Sequence, residues 1–185
     1  MDALHALLSR QSVGILQAPA PSPEVLEQAF AAALRAPDHR MLRPWRFITI
    51  AGEGLVALGE LFVGASRAVR PELDDAEVAR LRQMPLRAPL IVVAVAHFTE
   101  DAKVPAWEQM LATGAAVQNF LVALHAQGFG TMWRTGLLTE SPAVKQALGL
   151  EPADMIVGFV YVGTPGSDKK IAPLDTQAFV RSWPQ

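Results

Sequence analysis

The sequence predicts an α+β or mixed three-layer sandwich, in which helices cover a sheet. Helical patterns precede and interrupt about four strand-like runs, an order that is neither regular βαβ alternation nor all-helical. One run, residues 90–96, is apolar throughout, which is typical of a strand covered on both faces. With 185 residues, 51% of them apolar and 18% charged, the chain can bury a full hydrophobic core, so we expect a single domain over residues 1–185.

Two helices are predicted before the first strand. The first ends near Arg10, and its apolar residues share one helical face. They are Leu4, Leu7 and Leu8. A proline-rich connector at residues 17–23 leads to the second helix. Ser22 is a good N-cap with Pro23 at the first helical position, and this helix is expected to run to about Leu34.

A turn and a strand follow the second helix. Pro37 keeps Ala36 out of helical conformation, so the turn begins there. Residues 45–50 alternate between two faces and predict a strand. Two amphipathic segments, residues 53–64 and 72–83, predict the next helices.

The longest predicted helix spans residues 107–127 and is apolar almost all round, which is typical of a central helix or a subunit contact. The remaining elements are a strand at 131–134, a loop at 135–140, a short helix from Ser141 to Gly149, a strand at 155–163 and a polar tail from Thr164. We find no internal repeat, heptad run or low-complexity segment.

Composition and charge exclude several classes of function. The net charge of −2 and the isoelectric point near 6.1 give no general attraction to nucleic acid or to an anionic membrane. The absence of cysteine excludes disulfides, thiolate nucleophiles and cysteine-ligated metals, and it fits a reducing cytoplasm. The N-terminus does not resemble a secretory signal, and the longest apolar run, residues 89–98, is too short to span a bilayer. We expect a soluble, cytoplasmic protein that binds neither nucleic acid nor membrane.

The motifs of common enzyme classes are also missing. Gly128 and Gly130 follow a predicted helix and precede a strand, whereas a dinucleotide-binding G-x-G-x-x-G follows a strand and opens a helix. The sequence has no P-loop, no G-x-S-x-G elbow and no metal-ligand spacing among its histidines, so we expect no metal site. An enzyme of this sequence therefore needs a cofactor that brings the reactive group.

Two basic clusters are candidates for binding an anionic or strongly polar ligand. Arg10 and Ser12 offer a guanidinium fork and a hydroxyl to phosphate oxygens; alternatively, they meet a helix dipole and complete a turn. The second cluster consists of Arg35, His39, Arg40 and Arg43. Repulsion between these positive charges disfavours the cluster unless a bound anion or water compensates for it. Equally simple explanations are a solvated surface for the arginines and a tight turn beside Asp38 for His39.

A third polar segment lies far downstream, after the longest helix. Thr131, Met132 and Trp133 are either ordinary strand core or, with Arg134 beside them, the mouth of a polar site. Glu108 suits the start of the long helix. Lys169 and Lys170 could neutralise a phosphate but are more simply part of a solvated tail.

Seven blocks of the sequence together resemble the nitroreductase family of flavin enzymes, nearly from end to end. The blocks are M-D-A-L with S-R-Q-S, R-A-P-D-H with P-W-R-F, R-A-P-L-I-V-V, K-V-P-A-W-E-Q, A-Q-G-F-G-T-M-W-R-T-G, L-T-E-S-P and I-V-G-F-V-Y-V-G-T-P. Their order and spacing are more specific than any single block. The resemblance implies an FMN-dependent three-layer sandwich with a mixed, mainly antiparallel sheet, and an obligate homodimer with FMN at the subunit interface.

The resemblance also implies which residues bind the cofactor. The segment that binds the phosphate and the ribityl chain of FMN in this family matches Arg10, Gln11 and Ser12. Positions that reach FMN from the partner subunit match Arg35 and His39. The segment along the flavin matches Thr131, Met132 and Trp133. The region assigned to the nicotinamide nucleotide matches Leu121, Val122, Ala123, Leu124, His125 and Ala126.

The implied function is electron transfer from NADH or NADPH, through FMN, to a nitroaromatic compound, a quinone or a similar small acceptor. Hydride would enter and leave through flavin N5 in a ping-pong cycle, so no side chain is assigned a catalytic role. Gln11 departs from the family, which often has an arginine there, and one phosphate-binding charge is lost unless Lys169 or Lys170 replaces it. Two alternatives stay open: a non-redox flavin-binding or storage dimer, and another flavin reaction on the same fold.

Overall fold

The computed structural model describes residues 1–101, 103–167 and 171–184, so Lys169 and Lys170 lie outside the described residues. The helices are α1 (Ala3–Ser9), α2 (Pro23–Ala33), α3 (Glu53–Val69), α4 (Asp75–Gln83), α5 (Ala106–Ala126), α6 (Leu137–Glu140) and α7 (Pro142–Ala147). The strands are β1 (Leu16–Gln17), β2 (Trp45–Ala51), β3 (Leu90–Ala96), β4 (Gly130–Arg134) and β5 (Met155–Pro165). Short 3₁₀ turns lie at His39–Met41, Pro85–Arg87 and Thr176–Ala178.

The strands form a five-stranded sheet centred on β3 and β5. β3 pairs antiparallel with β2 and with β5. β4 and the short β1 both pair antiparallel with β5. A parallel bridge joins Ser12 to Thr131 in β4. The prediction of a mixed, mainly antiparallel sheet is therefore confirmed.

Helices cover both faces of this sheet and complete three layers. On one face, Phe62 of α3 and Leu81 of α4 pack with Phe159 of β5. On the other face, Phe30 of α2 stacks on Phe120 of α5 with ring centroids 4.9 Å apart. The three-layer α+β sandwich predicted from the order of the elements is confirmed.

β3 is buried along its whole length because both of its faces are covered. Three of its residues pack in the α3–α4 layer: Ile91, Val93 and Val95. Three others pack in the α2–α5 layer: Leu90, Val92 and Ala94. This two-sided burial explains why the segment has no polar alternation.

Three features differ from the sequence analysis. α6 occupies the predicted loop at 135–140, since a single helical turn is too short to show a periodic pattern. β1 begins at Leu16, just before the predicted connector, and its pairing extends β5 to Pro165. The predicted apolar face of α1 is exposed, with Leu4 at 70% of its full accessibility, and the buried residue of α1 is Ala6.

No helix in the described ranges combines the length and the apolar character that crossing a membrane requires.

Candidate functional site

The N-terminal polar segment lies directly against β4. Arg10 is the C-cap of α1, and the backbone N–H of Val13 donates to the carbonyl oxygen of Thr131 at 2.9 Å. This close approach needs a glycine at position 130, because a Cβ there would lie 2.8 Å from Leu16 Cδ2 and 3.2 Å from Val13 Cβ. The fold thus brings the predicted phosphate-binding residues 10–12 beside the predicted flavin segment, residues 131–133.

The C-terminal end of α5 adds His125 to the same place. Ser9 Oγ donates to the carbonyl oxygen of His5 at 2.6 Å and lies 2.8 Å from His125 Nε2. Burial lowers the pKa of His125 below its ordinary value of 6.5, and the positive charges of Arg10 and His5 lower it further. His125 is therefore neutral at pH 7 beside a cation.

A cleft of about 480 Å³ opens at this position, and we call it the N-terminal cleft. Its lining includes Gln11, Val13, His125, Phe129, Pro165 and Ser167. Gln11 is the one predicted phosphate-binding residue that lines this cleft, and His125 lines it from the end of α5. Its walls combine apolar side chains, among them Val13 and Phe129, with the polar side chains of Gln11 and His125, so a cleft of this size can hold part of a small ligand.

Trp133 is fixed by an unusually close strand contact. Its indole Nε1–H donates to the carbonyl oxygen of Val157 at 3.1 Å. A Cβ at Gly158 would collide with that indole nitrogen and would lie 2.6 Å from Trp133 Cδ1. Because only glycine leaves room for the indole, Gly158 sets the position of Trp133 on β4.

The side chains of β4 point alternately to the two layers of helices. Met132 packs in the α3–α4 layer and Trp133 in the α2–α5 layer, while Thr131 is buried. Within the predicted flavin segment, Met132 and Trp133 are therefore the partly exposed residues.

The second basic cluster lies elsewhere in the chain, near the start of α5. His39 Nδ1 is 2.9 Å from Glu108 Oε2, and Arg40 Nε is 3.2 Å from Asp101 Oδ2. The backbone N–H of Arg43 donates to the Asp38 carboxylate at 2.6 Å. Carboxylates of the chain itself thus compensate for part of the positive charge that the sequence places in this turn.

The two basic clusters do not meet within one chain. His39 contacts Glu108 in the first turn of α5, whereas Arg10 lies near His125 in its last turn. At 1.5 Å of rise per residue, Glu108 and His125 are about 25 Å apart along the helix axis. Arg35 comes shortly after Ala32, whose carbonyl oxygen accepts a hydrogen bond from Asn119 Nδ2 at 3.2 Å. Since Asn119 lies between Glu108 and His125 in α5, Arg35 lies between the two ends of that helix.

The loop that carries His39 has a strained backbone. Arg40, Met41 and Arg43 have φ values of 62°, 54° and 51°. Non-glycine residues in this region typically cost about 1–3 kcal/mol each and persist where the surroundings hold them, often at functional sites. Met41 is also 76% exposed, so the loop presents an apolar side chain to solvent.

A family model described as "Nitroreductase family" matches residues 7–164 of this chain. The chain belongs to the nitroreductase family. This family is one of oxidoreductases, so the predicted family and the predicted class of enzyme are both confirmed.

Relatives and solved structures agree with the family assignment. The chain is 45% identical to "Putative NAD(P)H nitroreductase YdjA" of Escherichia coli K12 over 165 residues. This alignment covers 89% of each protein. A nitroreductase-like family protein from Bacillus cereus superposes with a TM-score of 0.83 at 22% identity, covering 100% of this chain and 97% of the other. A mutant of the FMN and NADPH-dependent nitroreductase NfnB from Sphigopyxis sp. strain HMH superposes with a TM-score of 0.79 at 16% identity, covering 100% of both. The last two show the same nitroreductase fold.

The segment matched to the nicotinamide nucleotide is only partly accessible in this nitroreductase chain. Leu121 and Leu124 are buried in the α2–α5 layer. The partly exposed members are Val122, Ala123, His125 and Ala126. Among these four, His125 lines the N-terminal cleft, and a nicotinamide role for the segment stays a prediction.

A second cleft of about 920 Å³ was not foreseen from the sequence. It lies on the α3–α4 face of the sheet, beyond the end of β4, and we call it the Arg134 cleft. Its side chains come from α3, α4, α6 and β5, so no local sequence pattern gathers them. The one available signal was Arg134 itself, a charged residue that ends a strand beside the matched flavin segment.

Proposed function

We propose that this nitroreductase is a cytoplasmic, single-domain FMN-dependent oxidoreductase. In this proposal it takes electrons from NADH or NADPH and reduces nitroaromatic compounds, quinones or similar small acceptors by a ping-pong cycle. The observation that carries the proposal is the placement of Arg10–Ser12 against Thr131–Trp133 at the edge of β4. The relatives that are named NAD(P)H nitroreductase and FMN and NADPH-dependent nitroreductase support the choice of cofactors.

The donors at this edge suit FMN. Arg10 supplies a planar guanidinium and Ser12 a hydroxyl, and together they match the oxygens of a phosphate. Gln11, which lines the N-terminal cleft, offers an amide to the phosphate or the ribityl hydroxyls. We therefore assign phosphate and ribityl binding to these three residues and the flavin segment to Thr131, Met132 and Trp133.

Bound FMN would supply the hydride chemistry at its N5 atom. The residues of the chain would bind and orient it, and we assign none of them a role in proton transfer. The Trp133 indole, held by Val157 and Gly158, would keep the strand edge in one fixed position. That rigidity favours a defined geometry between donor and acceptor.

We propose in addition that the site is completed by a second copy of the chain. α5 leaves one face uncovered, on which Trp107 is 59% and Leu111 is 61% exposed. Exposed large apolar side chains on one helix are typical of a subunit interface. If two copies pair their α5 helices antiparallel, the partner's loop with Arg35 and His39 reaches the end of α5 where Arg10 and His125 lie.

The proposed function is tested by the absorption spectrum of the purified protein and by anaerobic titration. We expect a flavin spectrum, present on purification or after reconstitution with FMN, and bleaching of its long-wavelength band by NADH or NADPH. Reoxidation by menadione or a nitroaromatic compound should then restore it. A protein that stays colourless with FMN in excess contradicts the proposal. A flavin band that neither nucleotide bleaches would favour the non-redox storage dimer instead.

A further inference from the structure

Glu108 holds the imidazole ring of His39. Glu108 Oε2 lies 2.9 Å from His39 Nδ1, across 69 positions of the sequence. An ionised carboxylate can only accept hydrogen bonds, so Nδ1 must carry the proton that joins the two side chains. In a neutral ring, the other nitrogen, Nε2, then keeps a free lone pair. The contact therefore fixes the tautomer of His39 as well as the orientation of its ring.

The backbone that carries His39 is also fixed, although it is strained. Arg40 and Arg43 have positive φ values of 62° and 51°. Arg46 Nη1 donates to the carbonyl oxygen of Arg43 at 2.9 Å, and the backbone N–H of Arg43 donates to the Asp38 carboxylate at 2.6 Å. A strained loop persists only where such contacts hold it. His39 therefore stands on a backbone of defined position.

The start of α5, which carries Glu108, is tied to that loop. The next residue, Gln109, is 2% exposed, and its amide accepts from the backbone N–H of Thr99 at 2.9 Å and donates to the carbonyl oxygen of Thr99 at 2.8 Å. One turn further along α5, the Thr113 hydroxyl donates to the carbonyl oxygen of Pro44 at 3.3 Å. Because Pro44 ends the loop, both sides of the His39–Glu108 contact belong to one fixed frame.

The other carboxylates of this region have other partners. Asp38 accepts from the backbone of Arg43, and Asp101 Oδ2 lies 3.2 Å from Arg40 Nε. The His39 side chain is 56% exposed and the Glu108 side chain 29%, so a second molecule can reach the ring. Exposed ion pairs add little to stability. The main effect of this pair is therefore on the His39 ring itself.

We propose that Glu108 is a positioning residue of the cofactor site. It holds His39 with the proton on Nδ1, so that Nε2 is the atom that His39 offers to the FMN bound by a second copy of the chain. This inference rests on the proposed function, in which His39 reaches that FMN. A neutral ring held in this way is a hydrogen-bond acceptor, which suits a hydroxyl or N–H group of the cofactor and not its phosphate. Glu108 acts through His39 and is assigned no contact with FMN of its own.

The first test is the tautomer of His39 in the FMN-free protein. Nitrogen-15 NMR distinguishes a protonated from an unprotonated ring nitrogen, and His39→Asn assigns the signals among the four histidines. On the basic side of its titration, native His39 should carry its proton on Nδ1. In Glu108→Gln, the tautomer with the proton on Nε2 should appear, because an amide can donate to Nδ1 as well as accept from it. A native His39 with its proton on Nε2 overturns the inference, even if Glu108→Gln does not fold.

Glu53→Gln is the matched control. Glu53 is an exposed carboxylate in the first turn of α3, so both substitutions remove a favourable charge from the start of a helix. The control should keep the native tautomer of His39. A change of tautomer in both variants would contradict the assignment to Glu108.

The second test is a double-mutant cycle on FMN binding. Glu108→Gln should raise the Kd for FMN about two- to tenfold in the native background. In the His39→Ala background it should have no further effect, because the effect of Glu108 passes through the His39 ring. An unchanged Kd in the native background, or equal effects in both backgrounds, overturns the inference. Glu53→Gln should bind FMN as the native chain does.

The inference and the proposed function fail in different ways. If FMN binds and Glu108→Gln changes neither its Kd nor the tautomer of His39, the inference is wrong and the proposed function stands. If FMN binds and His39→Ala leaves its Kd unchanged, His39 is not at the site and the inference is again wrong. If the native protein does not bind FMN, the proposed function is wrong and the inference falls with it.

Discussion

Single residues determine the chemistry of the candidate site, and the sequence indicates them unevenly. Arg10 and Ser12 could be recognised because a basic residue and a hydroxyl at a helix end suit phosphate. The resemblance named His125 only as part of the nicotinamide segment, and its position beside Ser9 could not be predicted, since Ser9 is 116 residues away in the chain. Arg134 could not be assigned either, because its place in the wall of the Arg134 cleft depends on what packs around it in three dimensions.

Replacing Arg10 by Ala should weaken FMN binding. One charge-assisted hydrogen bond to a phosphate is worth about 1.5–3 kcal/mol, which corresponds to a roughly ten- to hundredfold higher Kd. The measurement is quenching of FMN fluorescence on titration with protein. Arg67→Ala is the matched control and should bind FMN as the native chain does. An unchanged Kd for Arg10→Ala would mean that the phosphate lies elsewhere.

His125 should titrate below pH 6.5 in the FMN-free protein, because burial, Arg10 and His5 all disfavour its charged form. Because the pKa of His125 is lower in the folded state than in the unfolded state, neutral His125 contributes to stability above pH 6.5. This contribution is lost as the pH falls from 6.5 through the pKa of the folded state. NMR titration of the imidazole proton, assigned with His125→Asn, measures this pKa. Bound FMN phosphate should raise it, and a pKa that does not respond to FMN would place the phosphate away from His125.

At the scale of elements, strong periodic patterns made the long segments predictable. α5 and β3 lie within a residue or two of their predicted bounds because their apolar runs are long and uninterrupted. The short elements α6 and β1 were not predicted, since each is stabilised by neighbours rather than by a pattern of its own. The same is true of the contact between β4 and β5 at Gly158, which joins segments that are distant in the sequence.

Replacing Gly158 by Ala should destabilise the β4–β5 pair. The new Cβ would force the Trp133 indole away from the carbonyl oxygen of Val157, and overpacking of this kind typically costs about 1–3 kcal/mol. Urea unfolding measures the loss, and tryptophan fluorescence reports the displaced indole. Gly64→Ala is the control, because no atom lies within 4 Å of a Cβ there and the helix interior favours alanine. Equal stability of Gly158→Ala and the native chain would contradict the contact.

At the scale of the whole molecule, α5 separates the two basic clusters. Both clusters were identified from the sequence itself, and the resemblance to the nitroreductase family then assigned members of each to FMN, but their placement at opposite ends of one helix depends on the tertiary fold. The sequence did indicate a helix that is apolar almost all round, and the structure shows which side remains uncovered: the side of Trp107 and Leu111.

A charge on the uncovered face of α5 should separate the proposed dimer. Leu111→Arg would bury an unpaired guanidinium at the interface, and we expect a monomer that loses FMN. Light scattering coupled to size-exclusion chromatography measures the mass, and the flavin absorbance reports the cofactor. Val56→Arg places the same charge on an exposed residue of α3, in the opposite layer, and should stay dimeric. A Leu111→Arg protein that remains a flavin-loaded dimer would put the interface elsewhere.

The distance between the two ends of α5 has a genetic consequence. If each pocket draws Arg10 from one polypeptide and His39 from the other, two different defective alleles can compensate for each other. Co-expressing Arg10→Ala with His39→Ala would yield hybrids in which one pocket has both original side chains and the other lacks both. At an FMN concentration that saturates the native dimer but not the variants, such hybrids should bind up to half of the native flavin content, and either defective chain alone should bind less.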